Sequence, residues 1–349
     1  MMHRAAMLLV CFALAGHGAL AQSSEEAPEQ GEYRGAINAT HPPWFKESFL
    51  DFSEDIDEAA ADGKRLALYF WQAGCPYCNQ LWKYNMAVDE IAEEFQAKFD
   101  VVAINMWGDQ DVVTVGGRQF TEKQLARALD VDFTPTLLFY DEQKNLVLRL
   151  NGYLPPERFK LALVYASGAF EAGQSFNQFV MSQTTTSIGL ARKQDFFKTA
   201  EAVLTNRSLS SAERPLAVVF ETSDCTACEQ FHDVTLAHED TRSLLAQMDV
   251  VQLDARSNDK ILLPDGRPST PAQWAETLEL SYYPSIAFFD KSGEQVMLMN
   301  AYFRNFHTQS VFAYVLEEGY LQEPSFQRYI SARAEHLNAQ GIDVDIWEE

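Results

Sequence analysis

An apolar run followed by Cys-x-x-Cys occurs twice in this 349-residue chain, and the second copy lies 150 residues after the first. Leu66-Ala67-Leu68-Tyr69-Phe70 leads to Cys75 and Cys78, and Leu216-Ala217-Val218-Val219-Phe220 leads to Cys225 and Cys228. The correspondence continues at a spacing of 149, as one deleted residue would produce. Gly117-Arg118 matches Gly266-Arg267, Thr134-Pro135-Thr136 matches Tyr283-Pro284-Ser285, and Asn151-Gly152-Tyr153 matches Asn300-Ala301-Tyr302. Beyond these, Ser175-Phe176-Asn177 matches Ser325-Phe326-Gln327, so the duplication includes a tail helix. A repeat of this length is large enough to bury its own core, and the chain is expected to form two similar domains.

Within one repeat the patterning runs helix, β, Cys pair, helix, β, helix, β, β, helix, an α/β order that implies a central mixed sheet flanked by helices. In the first repeat the expected segments are roughly 44–61, 66–71, 76–98, 99–106, 121–129, 136–140, 146–150 and 156–165. Thr121 with Gln124 reads as a capping box, and 141–145 as a polar hairpin turn. The polar run 182–188 has no apolar periodicity and reads as the linker between a first domain, 42–181, and a second, 189–349. Residues 22–41 are polar and contain Pro and Glu, the composition of a flexible leader.

Residues 1–21 have the layout of a secretory signal, with Arg4, an apolar stretch from Ala5 to Ala15 and the small-x-small site Ala19-Leu20-Ala21. Cys11 lies within that stretch, which leaves four of the five cysteines for the exported chain, all in the two pairs. No later apolar run has the length of a membrane span, so a soluble exported protein is expected. With 27 basic against 50 acidic residues, a net charge of −23, the chain is a poor phosphate binder, and nucleic acid is excluded as a partner class. Chains of this size do not need disulfides in place of a core, which turns the reading of the cysteines towards redox chemistry.

A cysteine at the start of a helix faces unpaired backbone N–H groups and the positive end of the helix dipole, which favours thiolate over thiol. Cys75 and Cys225 are therefore the expected nucleophiles, and Cys78 and Cys228 the resolving thiols. Pro76 suits the first helical position because it has no N–H to satisfy. A zinc ribbon would need both pairs within one small unit, and covalent haem would need His where Asn79 and Glu229 stand. Two inert structural disulfides remain the alternative. No metal and no diffusible cofactor are expected beyond the two redox-active disulfides.

The strand, Cys75-Pro76-Tyr77-Cys78, the helix, and then Phe133-Thr134-Pro135-Thr136 together resemble the thioredoxin superfamily. That resemblance implies a cis proline at Pro135, and at Pro284 in the second repeat. It also implies that the preceding Thr134 and Tyr283 pair with an extended substrate, and that Pro76 and Tyr77 contact it. Over residues 43–165 the first repeat is similar to SoxW-type periplasmic thioredoxins, through its Gly74-Cys75-Pro76-Tyr77-Cys78, Asn105-Met106-Trp107-Gly108 and Gly152-Tyr153-Leu154. In thioredoxin itself a buried Asp serves proton transfer six residues before the first Cys; here Tyr69 and Val219 stand there, leaving Lys83, Glu221 or water as candidates.

Asp224 beside Cys225 should oppose its thiolate, whereas Gly74 leaves Cys75 unopposed, so Cys75 is expected to be the more reactive thiol. Trp71 reads either as core or as a shield for the disulfide, His232 as a solvated helix residue, and Met297 and Met299 as sheet packing. The resulting expectation is an exported thiol-disulfide oxidoreductase acting on disulfides of exported proteins, with a membrane thiol carrier as electron source and the second pair as a relay. A disulfide-donating oxidase and a client-binding module with structural disulfides are the alternatives.

Overall fold

Each repeat builds a four-stranded sheet with the same strand order. In the first, Phe99–Asn105 runs parallel to Arg65–Trp71, which pairs antiparallel with Thr136–Tyr140, itself antiparallel to Leu146–Asn151. In the second, Asp249–Asp254, Leu216–Glu221, Ser285–Phe289 and Gln295–Met299 repeat that order. Both strands that lead to the cysteines are central and covered on both faces, which is why they read as unbroken apolar runs rather than alternating ones. Met297 and Met299 are buried in a strand, as their alternation indicates. The computed structural model describes residues 30–183 and 189–347, Ala39 and Ala191 excepted. The expected secretory signal and most of the expected linker lie outside the described residues.

Two helices differ from their expected extents for identifiable reasons. The 44–61 segment becomes helical only at Phe52–Ala61, where the Asp51 carboxylate accepts hydrogen bonds from Ser53 N at 3.0 Å and Glu54 N at 3.2 Å. The single helix expected over 76–98 is divided into Pro76–Gln80, a π-helical turn at Leu81–Met86 and Asp89–Lys98. Ala87 N reaches back five residues to Trp82 O at 2.8 Å, and Leu236 N does the same to Phe231 O at 2.9 Å in the second repeat. Each such turn shifts the helical register once and re-aims the helix that follows. A small hairpin, Asp111–Val113 with Gln119–Thr121, has strands of three residues, too short to show a periodic pattern, and escapes sequence reading.

One face of each sheet, carrying Ala67 and Tyr69 in the first domain and Ala217 and Val219 in the second, joins a single hydrophobic cluster that runs through both domains. The opposite faces have separate clusters of their own. At the junction, matched residues meet: Tyr302 N donates to Tyr153 O at 3.2 Å, and their rings lie 6.2 Å apart. The two domains thus face each other about an approximate twofold. Gly152 is required at this contact, since its φ is +91° and a Cβ there would sit 2.7 Å from the Ala301 Cβ.

The tail helices, Phe176–Gln183 and Phe326–Ala339, each lie across the opposite domain, as their side-chain contacts below establish. The chain ends are also tied together. Tyr33–Arg34 pairs in parallel with Val344–Asp345, Gly31 N donates to Asn338 O at 2.9 Å, and Asn38 Oδ1 accepts from Gly74 N at 2.7 Å. The expectation of a flexible 22–41 segment is therefore corrected from residue 30 onward: its backbone donors and acceptors find partners in the C-terminal strand and the Cys75 loop. Among the described residues, no helix is long and apolar enough to cross a membrane.

Candidate redox sites at two interdomain cavities

Both Cys pairs form disulfides at the start of a helix. Cys75 caps Pro76–Gln80 and Cys225 caps Thr226–Gln230, each sulfur accepting from the N–H of the second cysteine at 3.0 Å. The second sulfurs are inaccessible, Cys78 and Cys228 both being 0% exposed. Attack from outside must therefore fall on Cys75 or Cys225.

The proline following each sheet crossover brings its preceding residue onto the nucleophilic sulfur. The Thr134–Pro135 and Tyr283–Pro284 bonds are both cis. Thr134 O lies 3.5 Å from Cys75 Sγ, and Tyr283 O lies 3.5 Å from Cys225 Sγ. Here the sites diverge: the Thr134 hydroxyl donates to Cys75 Sγ at 3.3 Å, while Gln72 Nε2 donates to that hydroxyl oxygen at 3.0 Å and so aims its proton at the sulfur. A hydroxyl bond to a thiolate is worth about 1.5–3 kcal/mol. Thr134→Val is therefore expected to slow iodoacetamide alkylation of reduced Cys75 at neutral pH about three- to tenfold, with Cys225 unaffected; equal rates in the variant and the parent would remove the hydroxyl from the mechanism.

Each site is then closed by the tail helix of the other repeat. On the first, Gln327 Oε1 accepts from Gln72 at 2.6 Å and its Nε2 donates to Asp132 O at 2.8 Å. On the second, the matching Asn177 accepts from the Tyr283 hydroxyl at 3.1 Å and donates to Glu276 at 2.9 Å. A cavity of about 240 Å³ remains beside Cys75 and Pro76, and one of about 360 Å³ beside Cys225. Sequence reading found the tail helices but not their exchange. The signal was present in a polar residue following Phe176 and Phe326 on the apolar face, where a solvent-facing helix has no use for one.

Tyr77, an expected substrate contact, lines the Cys75 cavity and is also packed by the second domain. Its ring packs edge-on against His307 at 4.8 Å and Trp347 at 5.1 Å, and its hydroxyl accepts from Arg304 N at 3.0 Å. Pro284 lines a separate small apolar cavity at the domain junction with Phe303, rather than the Cys225 cavity. Two observations bear on the expected reactivity ranking. Cys75 is 4% exposed whereas Cys225 is half-buried, and the Asp224 carboxylate is met by Arg256 Nη1 at 3.4 Å, so its charge does not act on Cys225 alone.

His232 departs furthest from expectation. It is 1% exposed, and its Nε2 lies 2.9 and 3.1 Å from the two oxygens of Glu221, itself 0% exposed. Gln252 donates to the same carboxylate at 2.6 Å. In the first domain the corresponding residues are Trp71 and Trp82, and Trp71 packs against His41 at 4.5 Å between ring centroids. Lys83, the other named base candidate, is exposed and lies over the Tyr84 ring. Among the described residues, no group of three or more His, Cys, Asp or Glu is placed to hold a metal ion.

A thioredoxin-like domain model matches the chain twice, over residues 52–167 and 206–316. The chain belongs to the thioredoxin-like family. Its two Cys-x-x-Cys disulfides lie one in each matched region. Both tail helices fall outside the matched regions. Similar solved structures include a thioredoxin-fold protein from Helicobacter pylori, 14% identical, covering 42% of this chain and 99% of that one with a TM-score of 0.33. The first two thioredoxin domains of Saccharomyces cerevisiae Eps1p are 13% identical, covering 75% and 94% with a TM-score of 0.25. A disulphide isomerase from Xylella fastidiosa is 16% identical, covering 38% and 98% with a TM-score of 0.25. No curated protein matches the chain.

Proposed function

We propose that this protein is an exported thiol-disulfide oxidoreductase that reduces or shuffles disulfides through mixed disulfides at Cys75 and Cys225, resolved by Cys78 and Cys228. The observation that carries the reading is the twofold placement of a helix-capping sulfur against the residue before a cis proline, with the partner sulfur sealed behind it. An inert structural disulfide has no use for that arrangement. The signal-like 1–21 segment supports export, and a membrane thiol carrier would then supply electrons, with disulfide-bearing exported proteins as acceptors.

Protein substrates gain access to Cys75 only when the tail helix Phe326–Ala339 moves aside, since Gln327 ties that helix to the strand leading into the site. Insulin reduction by dithiothreitol tests the function on the full chain. Turnover above the uncatalysed rate, lost when Cys75→Ser and Cys225→Ser are combined, supports it. Turnover equal to that of dithiothreitol alone, with both pairs remaining oxidised, points to structural disulfides.

A further inference from the structure

The residues that close the two cavities differ in one informative way. Arg158 and His307 occupy matching positions, each seven residues after the aligned Asn151 and Asn300. Arg158, from the first domain, lines the Cys225 cavity; His307, from the second, lines the Cys75 cavity. Each domain thus donates one nitrogenous side chain to the other's cysteine. Burial lowers His307 to about 4, so it is neutral at physiological pH. Arg158 remains a cation, although burial pushes its pKa down.

Arg158 also lacks a counter-ion. Among the described residues no carboxylate forms an ion pair or hydrogen bond with it, whereas the two most deeply buried arginines are matched, Arg65 to Glu142 and Glu171 and Arg207 to Asp249, and the half-buried Arg149 donates to the Leu129 and Asp130 carbonyls. The other charges on the cavity wall are already engaged or turned outward. Asp224 meets Arg256 at 3.4 Å, and Glu157 is exposed and lies 3.8 Å from Lys160. In a chain with 50 acidic and 27 basic residues, a half-buried arginine on a cavity wall with no carboxylate of its own is open to an anionic ligand.

We propose that the Cys225 cavity is a binding site for a small carboxylate-bearing thiol or its disulfide, with Arg158 of the first domain holding the carboxylate while the sulfur reaches Cys225. This rests on the thiol-disulfide reading above and adds its substrate class. A cavity of about 360 Å³ suits a small molecule, and the tail helix Phe176–Gln183, tied through Asn177 to the Tyr283 hydroxyl, denies the site to an extended polypeptide. The thiolate attacks Cys225 Sγ and the Cys225–Cys228 bond breaks. The small thiol becomes disulfide-linked to Cys225, and Cys228 leaves as thiolate and takes up a proton. A second thiolate then attacks the small molecule's sulfur in that mixed disulfide and frees Cys225. Two thiols are oxidised to one disulfide, and the protein pair gains two electrons.

The test compares 3-mercaptopropionate with 2-mercaptoethanol as reductants of the full chain. Each rate is expressed per thiolate present, and each pair is read separately by alkylation and peptide mass. The expected result is a preference for 3-mercaptopropionate at the Cys225 pair that falls about tenfold in Arg158→Gln, is retained in Arg158→Lys, and has no counterpart at the Cys75 pair; such a factor corresponds to about 1.4 kcal/mol. The same preference in Arg158→Gln as in the parent overturns the proposal while leaving the redox reading intact. Resistance of both pairs to 2-mercaptoethanol overturns the redox reading and this one with it.

Discussion

Replacing His232 with leucine is expected to destabilise the second domain by about 3–5 kcal/mol, because the substitution strands the Glu221 carboxylate in an interior site. Both partners are sealed, at 1% and 0% exposure, and Gln252 supplies the only other side-chain donor to that carboxylate among the described residues. The double replacement Glu221→Leu/His232→Leu should recover much of the loss, since apolar groups can occupy the site without an orphaned charge. Urea unfolding of parent, single and double variants measures this. A single variant within 1 kcal/mol of the parent would mean that water reaches Glu221 and that the pair contributes little.

The second large effect concerns access to the nucleophiles. With both pairs reduced, a bulky maleimide is expected to modify Cys225 about a hundred times faster than Cys75, the factor that a local opening costing about 3 kcal/mol imposes on the enclosed thiol. Cys75 is 4% exposed behind the Phe326–Ala339 helix and the paired chain ends, while Cys225 is half-buried at a wider cavity. Unfolding in urea should bring the two rates together, because the difference lies in the fold and not in the local sequence. Faster labelling of Cys75 in the folded chain would restore the ranking drawn from Gly74 and Asp224, and would require the tail helix to be open in solution.

The two opposed rankings illustrate which properties a local reading reaches. The Asp224 side chain does stand next to Cys225, but Arg256, 32 residues away in the chain, comes within 3.4 Å of it. His232 has the composition of a solvated helix position, and only the sheet residues Glu221 and Gln252 make it an interior one. Tyr77 sits within the Cys-x-x-Cys motif, yet its ring belongs to the contact with His307 and Trp347 of the other repeat. In each case the deciding partner is remote in sequence, and nothing in the periodicity of either segment marks the pairing.

The sequence by itself determined the duplication, the α/β order of each repeat, the central strands and the two sulfurs that cap helices. These follow from short-range patterns: apolar runs of strand length, a cysteine at a helix start, a proline at a fixed distance. The mutual closure of the two sites was decided only by the tertiary structure. Each tail helix packs apolar side chains on its own repeat, Phe176 and Phe179 against Tyr165 and Phe326 against Tyr314, and reaches across to the opposite domain, where Gln327 and Asn177 meet the residues beside the cis prolines. Two thioredoxin-like units are thereby joined into one molecule with two chemically different cavities, one holding a neutral His307 and the other a cationic Arg158.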